Sequence, residues 1–395
     1  MIQEKTMLLI KNIEVYAPEY LGTKDIFVAG GKICRVADSL EFPIDPEIEV
    51  VDGKNFIATP GFIDNHVHIL GGGGEGGFAM RTPEVTLSDL TPFGVTTVVG
   101  LLGTDGIARE MTSLIAKTKS LKEQGISAYC MTGSYQIPVR TLTGDIIKDI
   151  MMVDEIIGVG EIAISDHRSS QPSFGDFKKL VSDARVGGML SGKAGIVDVH
   201  LGTGKKRMEL IERVVNETEI PITQFLPTHV SRSKKLFERA LDFAKLGGTI
   251  DFTGNENNDY DKEYKSKVVP AKAIKRMLDE GISDDLFTIS SDGQGSLPRF
   301  DADGKLIGMG IGKSSCLIKE IRDCVTRADI PLEVAIKGIT SNPARILCLK
   351  NKGRIEEGKD ADICIMTKDL QIDTVIAMGK VMVRHGDMVV KGYFE

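Results

Sequence analysis

Between residues 62 and 293 the chain repeats one unit, a compact apolar run of strand length followed in most cases by a stretch of helical pattern. The runs are FIDNHVHI, TTVVGLL, SAYCMTG, EIAISDH, IVDVHLG, FLPTHV, TIDFTG and LFTISSDG. Helical stretches such as MTSLIAKTKSLKEQG, KKRMELIERVVNE and KKLFERALDFAKLG lie between them. Strands that all run one way need a crossover between each pair, and helices supply it. Eight such units predict a (β/α)8 barrel over residues 60–349, with a doubly wound open sheet as the structural alternative. The flanks differ. LLIKNIEVY, DIFVAGGKICRVA and IEVVDGKNFIATPG at one end, and DADICIMTKDL, DTVIAMGKVMVRHGD and MVVKGYFE at the other, read as short strands with Gly turns. Neither flank alone supplies much core, so residues 1–59 and 350–395 are expected to pair into one discontinuous β-sandwich domain.

Polar residues at the ends of these runs point to chemistry. In GFIDNHVHILGGGGEGG, His66 and His68 are two apart on a strand, so their rings project to one side and make half of a zinc site. The plainer reading is a polar pair beside a flexible loop. Glu161 and Asp166 fall in the fourth run, His200 in the fifth, and His229 and Asp292 end the sixth and eighth. A lone His229 would more often be a hydrogen-bonded core histidine. Asp292 alone could cap the helix after SSDG. Together they are a ligand set, because a barrel gathers the carboxyl ends of its strands around one mouth. The Gly71–Gly74 run lacks the Lys and Ser/Thr of a phosphate loop, so close backbone approach or hinge motion suits it better.

Composition narrows the setting. A net charge of −7 gives no reason to expect nucleic acid or an anionic membrane surface as partner. No apolar run approaches a membrane span, and MIQEKTMLLIKN lacks a signal-peptide pattern. Six cysteines without CxxC pairing read as small core residues of a reducing compartment, so a cytoplasmic enzyme is the default. His167, in strict alternation with Asp166, and His385, in the terminal strands, are expected to be structural and surface residues.

The stretches PGFIDNHVHILGGGGEGG, GVTTVVGLLGTD, TGSYQIP, AISDHRS, GKAG, LPTHVSR and SSDGQGS resemble the amidohydrolase superfamily and, within it, the isoaspartyl dipeptidases. The HxH pair is common to the whole superfamily; GGGGE, AISDHR, THVxR and SSDGxGS together are more specific. The resemblance implies that His66, His68 and Asp292 hold one divalent metal ion, that His200 and His229 hold a second, and that residue 161 bridges both. It also implies substrate contacts at Glu75, Thr104, Tyr135, Arg168, Arg232 and Ser296, and a homo-oligomer, an octamer. The substrate class is a dipeptide whose aspartate is linked through its side-chain carboxyl group.

That substrate brings two carboxylates and one ammonium, and Arg168, Arg232 and Glu75 supply the opposite charges. Ordinary surface ion pairs are the alternative for either arginine alone. Two zinc ions sharing a hydroxide would provide a nucleophile near neutral pH, with Asp292 passing the proton to the departing amine. Tyr135 could donate to the developing oxyanion or serve as a packed core residue with a satisfied hydroxyl.

One departure stands out. Isoaspartyl dipeptidases usually bridge their metals with a carboxylated lysine, and here GVGEIAISDHRS places Glu161 at that position and is one residue longer. The glutamate carboxylate is expected to bridge instead, on a strand whose extra residue forms a bulge. A cyclic-amide hydrolase of the dihydroorotase or hydantoinase type, or an inactive barrel used for assembly, are the alternatives. Residues 254–266 read as a polar loop near the mouth.

Overall fold

The β-branched runs become buried parallel strands: β1 (Phe62–Val67), β2 (Val95–Gly100), β3 (Ser127–Thr132), β4 (Ile156–Ile164), β5 (Ile196–Leu201), β6 (Phe225–Thr228), β7 (Ile250–Thr253) and β8 (Phe287–Ser290). The computed structural model describes residues 7–42, 45–264, 267–300 and 306–395. Strands β1 to β6 form a six-stranded parallel sheet in sequence order, and β7 pairs with β8 in parallel from Ile250↔Phe287 to Thr253↔Ser290. The sheet curls, so its two edge strands reach the same pair. Thr228 of β6 donates to Asp251 of β7 at 2.7 Å, and Asn65 of β1 donates to the same carboxylate at 3.2 Å. Past β8, Gly293 bridges to Val67 and accepts the His68 N–H at 2.8 Å.

Helices α1 (Met111–Glu123), α2 (Ile146–Met152), α3 (Phe174–Ser191), α4 (Glu209–Glu217), α5 (Lys234–Lys245), α6 (Pro270–Asp279) and α7 (Ser315–Thr326) connect the strands. Their starts carry local signals. Ser173 and Asp176 form a capping box on α3, Ser233 caps α5, and Asp145 caps α2. Helix α4 begins at Glu209, later than the KKRMELIERVVNE pattern implies, because Lys206 and Arg207 lie in a turn, with Arg207 at φ 48°. The helices bury Phe177, Ile211, Phe237 and Ile274 against the outer sheet face, in one apolar cluster with Phe62, Val98 and Val199.

A second apolar cluster lies among the strands themselves. Ile63, Val99, Met131, Ile157, Ile196 and Leu226, one from each of β1 to β6, meet Ile346, Leu347 and Leu349. Ile63, Ile157, Ile196 and Leu226 sit at the amino ends of their strands and Val99 and Met131 further along theirs, and together they form a floor.

The two chain ends share one nine-stranded sheet. Ile363–Thr367 pairs antiparallel with Phe56–Pro60, which pairs in parallel with Met7–Tyr16. MVVKGYFE does not form the expected strand: only Asp387–Met388 pairs, and the Val389 and Val390 N–H groups both reach Met382 O, which pinches the chain instead of extending a ladder. The 254–266 loop is tied to α7, since Asn255 N–H and Asn258 Nδ2 both donate to Glu320 Oε1 at 3.3 Å; its residues 265 and 266 lie outside the described residues.

Candidate metal centre and active site

Strand geometry delivers four imidazoles to one place. The His66 and His68 rings stand edge-on with centroids 5.7 Å apart, as two residues on one side of β1 require. His200 near the end of β5 and His229 just after β6 bring their ring centroids to 4.6 Å, and His66 and His229 lie 5.4 Å apart. Among the described residues, His66, His68 and Asp292 form one buried group with ligand atoms within 4.8 Å of one another, and His66, Glu161 and His229 form another. His200 is outside that second group, but its Nδ1 lies 2.5 Å from Glu161 Oε1.

Glu161 is central. Oε1 is 3.1 Å from His229 Nε2 and 3.5 Å from His66 Nε2, and Oε2 is 3.7 Å from His68 Nε2. The strand is shaped to put it there. Val197 pairs with Val159 and Val199 with Ile162, so Gly160 and Glu161 together face the single residue Asp198. This is a bulge, and it turns an extra side chain inward. A Cβ at position 160 would stand 2.8 Å from Asp198 Cβ, so the approach of β4 to β5 requires glycine.

The donor set fits divalent cations on grounds of its own. His66 Nε2, Glu161 Oε2 and Asp292 Oδ1 are buried with no hydrogen-bond partner, although Asp292 Oδ1 lies 3.1 Å from His68 Nε2. Such orphaned groups cost about 1–3 kcal/mol each unless something satisfies them. Charge points the same way. Burial alone would raise Glu161, but His200 and His66 outweigh it and hold the carboxyl well below its usual range. Burial and the Arg232 charge push His229 down to about 3, which leaves a neutral imidazole with a lone pair to offer. Burial also works against charge on His66, yet Asp198 and Glu161 keep it well above its ordinary value, so a cation binding there would displace a proton.

Beside this cluster, Glu75, Thr104 and Arg168, from three separate loops, converge with Ser296, the first residue of the strand Ser296–Phe300. Arg168 Nη1 pairs with Glu75 Oε1 at 2.8 Å, Thr104 Oγ donates to it at 3.0 Å, and Ser296 Oγ lies 3.5 Å from Oε2. Arg232 reaches Leu201 O at 3.1 Å and His200 Nε2 at 3.0 Å. Tyr135 is buried with its hydroxyl 2.9 Å from His200 Nδ1, and Arg168 lies over its ring at 5.3 Å. Asp166 grips Arg168 and touches His200.

Other expectations resolve simply. His167 is exposed, and His385 is a surface residue 77% exposed beside Asp373. The glycine run approaches the chain's own backbone: a Cβ at Gly71 would meet Thr82 O at 2.3 Å.

Two supporting residues escaped the sequence reading. Asp198 accepts from His66 Nδ1 at 3.2 Å, and Thr253 lies 2.6 Å from His229 Nδ1. Asp198 carried a signal, because VDVHLG places it two residues before His200 and so on the same side of β5. Thr253 carried none, since its partner lies 24 residues away.

A profile of the amidohydrolase family matches residues 57–382. The structure of a β-aspartyl dipeptidase from Fervidobacterium islandicum AW-1, in complex with a β-Asp-Leu dipeptide, is 46% identical, covers 98% of each chain and superposes with a TM-score of 0.91. A second structure of a β-aspartyl dipeptidase from that organism is 44% identical over 97% of this chain and 98% of its own, with a TM-score of 0.87. The dihydroorotase of Elusimicrobium minutum is 26% identical over 92% of this chain and 88% of its own.

Proposed function

This chain belongs to the amidohydrolase family, and from that premise we propose that it is a metal-dependent dipeptidase which hydrolyses β-aspartyl dipeptides. The observation that carries the substrate class is the Glu75–Arg168 pair at 2.8 Å beside the histidine cluster. A β-aspartyl dipeptide keeps its aspartyl α-ammonium and α-carboxylate adjacent, a zwitterionic end that matches one acid and one guanidinium side by side. Arg232, 3.0 Å from His200 Nε2, is suited to the remaining carboxylate. The 46% identical relative bound to β-Asp-Leu supports the same class over the cyclic amides.

His66, His68 and Asp292 would hold one cation, His200 through Nδ1 and His229 through Nε2 the other, and Glu161 would contact both. Zinc suits this imidazole and carboxylate set. Such cations acidify a water and polarise a carbonyl when bound. The protein's own groups do the rest. Asp292 accepts the proton of the attacking water and delivers it to the leaving amine, and the Tyr135 hydroxyl donates to the oxygen on which charge develops.

The same reading carries an architecture and a setting. The curled sheet and the β7–β8 pair close as an eight-stranded (β/α)8 barrel over residues 60–349, supported by the Asp251 bonds from both edges. Residues 1–59 and 350–395 fold as one β-sandwich, supported by a shared apolar cluster of Ile10, Val28, Ile33, Ile363 and Ile376. Six unpaired cysteines support a cytoplasmic protein. Val186, Met189 and Leu190 line one face of α3, the latter two 68% and 64% exposed, which supports a homo-oligomer that covers them.

Turnover of β-Asp-Leu, α-Asp-Leu and dihydroorotate, measured in one preparation with zinc quantified, tests the proposal. Hydrolysis confined to β-Asp-Leu is expected. Turnover of dihydroorotate with none of β-Asp-Leu would overturn it.

A further inference from the structure

Asp166 lies just beyond β4 with its side chain 7% exposed, and its two oxygens face different tasks. Oδ1 accepts from Arg168 N–H at 2.8 Å and Arg168 Nε at 2.9 Å. Oδ2 accepts from Arg168 Nη2 at 2.8 Å and lies 3.1 Å from His200 Nε2. One carboxylate thus spans a residue of the substrate pair and a histidine of the metal centre.

The surroundings of His200 Nε2 make that contact decisive. The other groups at this nitrogen, among the described residues, are Arg168 Nη2 at 3.3 Å, Arg232 Nη1 at 3.0 Å and the Tyr135 hydroxyl, which is 3.5 Å from Nε2 but 2.9 Å from Nδ1. Guanidinium nitrogens can only donate. A histidine that ligates through Nδ1 carries its proton on Nε2, and that proton needs an acceptor. Asp166 Oδ2, a carboxylate oxygen at 3.1 Å, is the nearer and stronger acceptor there, ahead of the Tyr135 hydroxyl at 3.5 Å. Without it, the two arginines would donate to Nε2, drive the proton onto Nδ1, and turn His200 into a donor to Glu161 Oε1, 2.5 Å away, instead of a ligand.

We propose that Asp166 is a positioning residue that sets the His200 tautomer for cation binding and, through the same carboxylate, aims Arg168 at Glu75. The inference rests on the two-cation reading above and deepens it by assigning what couples the metal centre to substrate recognition.

Asp166→Asn is a pointed test. Its amide oxygen is held by the two donors on the Oδ1 side, so the amide NH2 takes the place of Oδ2 and presents a donor to His200 and Arg168. Full-length protein stripped of metal is titrated with zinc against a chelator, with no dipeptide present, so the result stands apart from whether β-Asp-Leu is the substrate. Two equivalents are expected for the native protein. Asp166→Asn should keep one at native affinity and bind the other about 10- to 100-fold more weakly. Its KM for β-Asp-Leu at saturating zinc should rise, while the melting temperature of the metal-free chain stays unchanged. Asp166→Glu, which retains a carboxylate, should recover part of the second equivalent. Two equivalents at native affinity in Asp166→Asn would overturn the inference. Equal weakening of both equivalents with a lowered melting temperature would do the same, as would fewer than two equivalents in the native protein.

Discussion

The two ends of the same parallel strands have opposite chemistry. At their amino ends, Ile63, Ile157, Ile196 and Leu226 pack with Ile346, Leu347 and Leu349 into a dry floor, which Val99 and Met131 join from further along β2 and β3. At their carboxyl ends stand four histidines, Glu161 and Asp292, with buried polar atoms that lack partners. The floor contributes stability, about 1.5–3 kcal/mol for each large apolar side chain buried. The rim gives stability up, about 1–3 kcal/mol for each orphaned polar atom, in return for ligands held ready. A strand a few residues long separates the two roles, so each can change while the other stays in place. Asp251 marks the border. Its buried carboxylate accepts from Thr228, Thr288, Ser290 and Asn65, a fully partnered acid below an unpartnered cluster.

Substitutions can break or sharpen this division, the strongest at the rim. Asp292→Asn should lower turnover of β-Asp-Leu by at least about 10² to 10⁴, the range for a general acid–base group, in a folded protein. Steady-state rates with zinc quantified in the same sample check this, and full activity at full zinc content would remove Asp292 from the proton path. At the floor, Leu226→Ala should cost about 2–5 kcal/mol in urea unfolding of metal-free protein, with zinc stoichiometry unchanged. A fall in zinc content alongside stability would show that the two ends are not separable.

Back at the rim, Glu75→Gln should reduce kcat/KM for β-Asp-Leu roughly ten- to a hundredfold, the equivalent of about 1.5–3 kcal/mol for one charge-assisted hydrogen bond, and leave zinc binding alone. Near-native efficiency would take Glu75 out of the site. The smallest effect is a null one. If the Glu161 carboxylate bridges two cations, as proposed, added bicarbonate should leave activity unchanged. Activation by bicarbonate in protein depleted of carbon dioxide would mean that some other group carries that carboxylate.

Strand order, the one-sided His66 and His68 pair and the places of His229 after β6 and Asp292 after β8 were legible in the sequence, because period-two alternation and the carboxyl-end rule are local or topological. The bulge that carries Glu161 to the histidines was legible too, because a residue added against a motif can be counted. Packing decided the rest. The pinch of Val389 and Val390 onto Met382 O depends on a neighbouring strand, and so ended a run that reads as β on its own. Asp198 and Thr253 support His66 and His229 from other strands. The two-sided grip of Asp166 needs β4 and β5 at once. A sequence states which side chains can ligate, donate or accept. Which nitrogen of an imidazole faces an acid and which faces a guanidinium is set by groups 30 or more residues away along the chain, such as Arg168 and Arg232, each 32 from His200, and only the folded structure brings them within hydrogen-bond distance.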